Sequence, residues 1–417
     1  MNVGSEIVVY RDEADELRSW KSWTLIYGRR KVGKTFLIKN FLPHDVYFRV
    51  GRDGKISAEK FVLAEMGSLQ EFCRVVKDLL KQGKTVVIDE FQRLPEWAIE
   101  EIASVHPSGR AIFCGSSLRV VKRIFGGRSP LLGLVKEYRL GLVRPRNILR
   151  ELAKRMDPVK AIELSPYLSE VWTVPLYEPE MASLEAIYDL LKYCRLSIPA
   201  LVGEIFTEEE RKLTKVYEAI LRVIGAGEWD YRAVASVLTG RGLVERADSS
   251  LVLPYIKNLL MMGLLEELPL YLSKKKMYRC ASPLMEAFYY LCDRYNFEER
   301  EVSFEEVRPT LERLRNLAIQ NWVADFFAEV YHGKKEYLPT AEKEVDFIIT
   351  RRGTPLVVGE VRWGKCDREE VVRFKEKTKG MRCRRVLVTK QELGFADEEI
   401  EVMLPEQLLE LSQSGYS

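Results

Sequence analysis

The stretch WTLIYGRRKVGKTFLIKNF, residues 23–41, decides the fold. Its first five residues, Trp23 to Tyr27, are β-branched or aromatic apart from Leu25, which is the composition of a buried strand. Gly28 follows, and Gly33-Lys34-Thr35 completes the spacing G-x-x-x-x-G-K-[ST]. Phe36, Leu37, Ile38 and Phe41 then suit a helix. Glycines let the backbone curl until its N–H groups face a phosphate, and the helix behind points its positive end at the same anion. Lys34 is expected to reach the β/γ oxygens, and the Thr35 hydroxyl to hold Mg²⁺. The rival reading, a glycine turn that matches by chance, loses ground because strand, loop and helix occur in the required order.

Outward from this loop, strands alternate with helical segments. DVYFRV (45–50), KTVVIDEFQRLP (84–95), RAIFCGSS (110–117) and VKEYRLG (135–141) read as strands. SLQEFCRVVKDLLKQ reads as a helix that stops at Gly83. That alternation predicts an α/β fold with a parallel sheet and helices on both faces. Asp89 and Glu90 fall at the C-terminal end of a strand, where such sheets present ligands. Asp89 is expected to support the metal shell and Glu90 to deprotonate the attacking water. Ser116 and Ser117, at the end of the next strand, either touch the γ-phosphate or form a polar turn after Gly115.

Residues 146–212 read as helices punctuated by Pro158, Pro166, Pro175 and Pro179, with no catalytic constellation. Three helical segments follow, the second capped by Asp230 and the third carrying Pro254 in its first turn; then come two strands joined by Lys274-Lys275-Lys276. Three helices and a hairpin spell a winged helix over 213–299. Its lysine turn either tracks a nucleic-acid backbone or is a solvated tip, and Lys257 is almost the lone cation of its third helix.

From residue 300 a long amphipathic helix precedes KEVDFIIT, a turn at Arg351-Arg352-Gly353, and PLVVGEVRW. Asp367 caps a further helix that Gly380 ends, and RRVLVTK is a last strand. Asp346 on one strand can meet Glu360 on its partner, beside Arg362. Two readings stand: a second divalent-metal site for phosphodiester cleavage, or an ion-pair cluster.

The chain has 417 residues, 47% of them hydrophobic, and a net charge of +3, so only local basic patches can argue for nucleic acid. Its seven cysteines form no C-x-x-C pair and its three histidines lie apart, which argues against a zinc site or a disulfide framework. The acidic N-terminus does not read as a signal peptide, and no apolar run reaches membrane-spanning length; a cytoplasmic protein is expected.

Taken together, these segments resemble archaeal ATPases of the STAND/AAA-related branch of P-loop proteins. GRRKVGKT (28–35), VVIDEFQRLP (86–95) and IFCGSS (112–117) resemble the family's phosphate loop, Walker B and sensor segments. Tyr10-Arg11-Asp12-Glu13 resembles the segment near the base, and VWTVPLY (171–177) the helical-lid signature. The C-terminal hairpin is similar to the PD-(D/E)XK nuclease-like domain often fused to such ATPases.

The resemblance implies four units: an ATPase core over 1–145, a helical lid over 146–212, a winged helix over 213–299 and a restriction-endonuclease-like α/β domain over 300–417. It implies that Gly28, Arg29, Arg30, Lys31, Val32, Gly33, Lys34, Thr35, Phe36, Arg11, Ser116 and Ser117 contact ATP. Lys34 and Glu90 are the catalytic pair, and Thr35 and Asp89 hold Mg²⁺. Two departures matter. Leu134 stands where the family often has an arginine, with Arg128 nearby, and Arg362 stands where an active nuclease would carry lysine, with Gln320 in place of a helix glutamate. The second departure implies a domain that keeps its fold and loses its chemistry.

Three functions are expected in turn: an ATP-driven switch with slow hydrolysis, an ATP-regulated nuclease using Asp346 and Glu360, or a scaffold. Expected partners are ATP, double-stranded DNA at the winged helix and basic turns, another protein, or a second copy of the chain.

Overall fold

A computed structural model describes residues 7–59, 67–116, 129–209, 211–246, 248–338, 344–395 and 397–414. Helix α1 (Glu13–Ser19) precedes β1 (Thr24–Tyr27), the phosphate-loop segment and α2 (Lys34–Phe41). Then come β2 (Val46–Val50), β3 (Ile56–Glu59), α3 (Leu69–Lys81), β4 (Thr85–Asp89), α4 (Glu96–Ala103), β5 (Arg110–Gly115) and β6 (Lys136–Arg139). The strands form one sheet in the order β3-β2-β4-β5-β1-β6, parallel except for β3. Side-chain alternation explains why both faces are covered. Leu25, Val86, Ile88, Ala111 and Phe113 pack on one side with Phe72 and Val76 of α3 and Ile99 of α4. Ile26, Val87, Ile112 and Cys114 pack on the other with Leu17 of α1 and Leu37 and Ile38 of α2.

The segment expected to form the lid contains α5 (Pro145–Leu152), α6 (Pro158–Leu168), a 3-10 turn (Val171–Leu176), α7 (Ser183–Tyr193) and α8 (Ser197–Glu208). Next are α9 (Lys215–Gly225), α10 (Tyr231–Gly240), α11 (Ser249–Met261) and the antiparallel pair β7 (Leu265–Pro269) and β8 (Lys276–Cys280). Asp230 caps α10 as expected, with its side chain accepting from the Arg232 N–H. Pro254 sits deeper than the first turn of α11, inside the helix.

Helix α12 (Pro283–Tyr295) leads to α13 (Phe304–Val330), 27 residues long, then β9 (Lys334–Leu338), β10 (Val345–Arg351), β11 (Thr354–Arg362), α14 (Arg368–Lys377), β12 (Arg384–Thr389), β13 (Glu401–Met403) and α15 (Pro405–Gln413). The second sheet runs β13-β12-β11-β10-β9, with β9, β10 and β11 antiparallel and β11, β12 and β13 parallel. Arg352 and Gly353 both have positive φ, which closes the β10–β11 hairpin in two residues.

One hydrophobic cluster runs without a seam from Leu149 in the lid through Ile220 and Ile256 to Phe326, Phe347 and Val386. The β7–β8 hairpin also docks on the second sheet: Tyr271 N–H donates to Tyr337 O at 2.9 Å, and Lys335 Nζ lies 3.3 Å from Glu266. Lys274 and Lys275 project from its exposed tip. Among the described residues no helix is long and apolar enough to cross a membrane.

Candidate functional site: the phosphate loop and its neighbours

The loop after β1 is shaped by two glycines with different reasons. A Cβ on Gly28 would stand 2.1 Å from Leu140 O, so the exit of β6 closes on the loop only with glycine there. Gly33 has φ 92°, a left-handed conformation that leads straight into α2. No side chain caps that helix, which leaves its first N–H groups turned toward the cleft. Lys34 Nζ lies inside the curl, donating to Gly28 O at 2.8 Å and Arg29 O at 3.0 Å, and burial pulls its pKa down.

Arg11 braces this geometry from behind. It is 3% exposed, donating to Val32 O at 2.8 Å, to Gly141 O and Leu142 O at 3.1 Å each, and to Glu13 Oε1 at 2.7 Å. Its hydrogen bonds thus go to backbone carbonyls and to the Glu13 carboxylate, although it also borders the cleft.

The carboxylates arrive at the end of β4. Asp89 Oδ2 accepts from Thr35 Oγ1 at 3.0 Å and from the Tyr47 hydroxyl, while Oδ1 accepts from the Glu90 N–H at 3.0 Å. Burial, then the Asp89 charge, push the Tyr47 hydroxyl far above its usual range and keep it a donor. Burial also raises the Cys114 thiol at the end of the neighbouring strand. Glu90 takes φ 56°, uncommon outside glycine and a feature of residues held for function. Its Oε2 accepts from Gln92 Nε2 at 2.6 Å and lies 3.2 Å from Arg93 Nη2. Gln92 also donates to Ser116 Oγ at 3.3 Å, tying the two strand ends together.

A cleft of about 530 Å³ opens over these groups, bordered by Lys31 to Leu37, Glu90, Ser116 and an apolar part made by Val8, Val9, Trp172 and Pro175. Phe36 is half exposed on its wall. A hydroxyl and a carboxylate side by side at a helix start are hard oxygen donors that fit Mg²⁺. Ser117 and Arg128 lie outside the described residues.

Of the two arginines that the sequence groups with the nucleotide, Arg30 lines the cleft, and both side chains also form ion pairs with acids of residues 146–212. Arg29 Nη2 meets Glu170 Oε1 at 2.6 Å, with both side chains almost wholly buried. Arg30 reaches Glu204 at 2.5 Å and Glu208 at 2.6 Å on α8. These lid acids, with Tyr47, Gln92 and Arg93, are the residues the sequence reading missed. Only Gln92 and Arg93 carried a signal, their adjacency to Asp89-Glu90.

At the second set of acids the ion-pair geometry is explicit. Arg362 contacts Asp346 at 3.4 Å, Glu370 at 3.4 Å and Glu360, and Lys377 Nζ lies 3.0 Å from Glu360 Oε1. Asp346 accepts from Val361 N–H at 2.7 Å and Gln320 Nε2 at 3.3 Å; burial pushes its pKa up to about 6. Among the described residues no group of three or more acids, histidines or cysteines is arranged to hold a metal.

The sheet order, the curled loop and the acid-tipped strand beside it define a P-loop NTPase core. A family model described as an AAA domain matches residues 21–144. A Walker-type ATPase of Pyrococcus abyssi is similar in fold, at 19% identity and TM-score 0.51, over 68% of this chain and 96% of that one. Looser matches, which fix no shared arrangement, include the ADP form of the Aeropyrum pernix ORC2 protein (16% identity, 76% of this chain, 96% of that one, TM-score 0.33). Another is a STAND protein with a tetratricopeptide repeat sensor from Pyrococcus horikoshii (17% identity, 76% and 48%, TM-score 0.31). No curated protein matches the chain in sequence.

Proposed function

We propose that the chain is an ATP-binding switch with slow Mg²⁺-dependent hydrolysis. The observation that carries this reading is the convergence of Lys34, Thr35 and Glu90 on one cleft at the start of α2, with Asp89 bonded to the Thr35 hydroxyl behind it. Loop amides and the Lys34 ammonium bind the phosphates, and the apolar wall beside Trp172 takes the base. Thr35 and Asp89 would hold Mg²⁺, which supplies charge neutralisation at the β and γ oxygens when bound. Tyr47 fixes the rotamer of Asp89, and Glu90 accepts the proton of the attacking water.

Coupling to the rest of the chain runs through the loop's own side chains. Arg29 and Arg30 bind the lid, so a loop that rearranges around phosphates pulls on Glu170, Glu204 and Glu208. The lid shares its core with the three-helix-and-hairpin module, read as a winged helix, and with the second sheet, read as a nuclease-like domain. The Arg362 cluster favours a structural role for that sheet over metal-dependent cleavage.

Glu90→Gln tests the reading directly. ATP binding is expected to stay intact while turnover falls roughly 10²–10⁴-fold; unchanged turnover would overturn the assignment of the base.

A further inference from the structure

A second cleft, of about 320 Å³, adjoins the nucleotide cleft at the same end of the sheet. Its walls include Arg49 at the end of β2, Arg52 and Lys55 in the turn to β3, Arg93 after β4 and Arg30 of the phosphate loop. Asp53 is the one acid among its described lining residues, and its Oδ1 is occupied by the Lys55 N–H at 3.1 Å. Arg52 is largely exposed, and the carboxylate it reaches, Glu204, is 3.9 Å away. Arg49 and Lys55 form no ion pair among the described residues. Arg30 and Arg93 already face Glu204, Glu208 and Glu90, whereas Arg49, Arg52 and Lys55 leave positive charge in the cleft that an entering anion would offset.

Arg30 and Arg49 line both clefts, and Arg93, on the wall of the basic one, reaches a carboxylate of the other. Arg93 Nη1 donates to Val50 O at 2.7 Å under the basic cleft, while Nη2 lies 3.2 Å from Glu90 Oε2. The guanidinium that would greet an anion in the cleft is therefore the one that now occupies the carboxylate assigned to the water. A plain solvated basic rim, with Arg93 facing Glu90 only because the two stand three residues apart in one turn, is the rival reading, and the variants below separate the two.

We propose that this cleft binds a phosphate group, and that its occupancy draws Arg93 from Glu90 and so accelerates ATP turnover. Phosphodiester backbone and free phosphate share the recognising chemistry. The second half of the proposal rests on Glu90 being the base; the binding half does not.

The test uses the full chain, a fluorescein-labelled DNA duplex and inorganic phosphate. Duplex binding read by anisotropy is expected to weaken ~10-fold in the Arg52→Glu/Lys55→Glu double variant, with a salt slope shallower by about 2. Basal turnover stays as in the wild type, and acceleration by the ligand is lost. Lys274→Glu/Lys275→Glu, at the hairpin tip, should leave binding and acceleration in place.

Arg93→Gln raises basal turnover several-fold and abolishes further acceleration, whereas Arg93→Lys restores the response. Duplex displaced by phosphate no better than by chloride at equal ionic strength assigns the cleft to a phosphodiester. Selective displacement, with no acceleration by duplex, assigns it to free phosphate. A double variant that binds both ligands and is accelerated as the wild type is would overturn the proposal. Full turnover in Glu90→Gln would remove the base assignment alone, because anisotropy still reads the cleft.

Discussion

The two sheets end in similar side chains and treat them in opposite ways. Asp89 closes β4 beside a hydroxyl at a helix start, its neighbour Glu90 shares one oxygen between the Gln92 amide and the Arg93 guanidinium, and a cleft of about 530 Å³ opens at Glu90. Asp346 and Glu360 lie on β10 and β11, but Arg362 grips both and Lys377 grips Glu360 again. An acid that faces an uncharged oxygen donor remains free to recruit a cation. An acid that faces a guanidinium already has one, and arginine does not give up its proton. The difference between a reactive end and a structural end thus lies in the groups around the carboxylates.

Removing the resident cation should break that contrast most sharply. Arg362→Ala takes the cation from Asp346 and Glu370 and leaves Glu360 with Lys377 alone, and a loss of about 3 kcal/mol is expected in chemical denaturation. Added Mn²⁺ should then restore part of the melting temperature of the variant and none of the wild type's. A variant as stable as the wild type would show that the cluster does not hold the sheet.

A buried acid with incomplete pairing tests the middle case. Glu286 is 6% exposed, and burial pushes its pKa up to about 7, with Arg279 opposing. Glu329 is likewise raised to about 7 by burial. Their folded-state pKa values exceed those of the unfolded chain, so each stabilises fully below about pH 4.5. That stability is lost as pH rises toward about 7. Glu286→Gln should therefore raise stability at pH 8 by roughly 2 kcal/mol and flatten its pH dependence. The same gain at pH 4 and pH 8 would contradict the assignment.

The smallest effect sharpens the reactive end. Tyr47→Phe removes one donor from Asp89, and turnover should fall about fivefold with ATP affinity kept, the scale of one hydrogen bond. Steady-state kinetics separate the two quantities.

Local signals were legible in the sequence, and contacts between distant segments were not. The loop, its strand and its helix follow from glycine spacing and apolar runs, and the Arg352-Gly353 turn from its glycine. The edge strand β3 escaped because ISAE is short and mostly exposed, with no alternation to mark it. Proline's preference for helix starts predicts Pro254 in a first turn, yet α11 begins earlier, with Asp248 as its cap. The pairing of Arg29 with Glu170, 141 residues away, has no local signal in the sequence. The hairpin with its lysines is readable in the sequence; its docking on β9 is not.

The central claim is a nucleotide held by the loop after β1. Calorimetric titration of the full chain with ATP in Mg²⁺, alongside Lys34→Ala, tests it most directly. One site per chain, weakened when Mg²⁺ is chelated and lost in Lys34→Ala, is the expected result. Absence of binding in the wild type, or equal binding in the variant, would contradict the account.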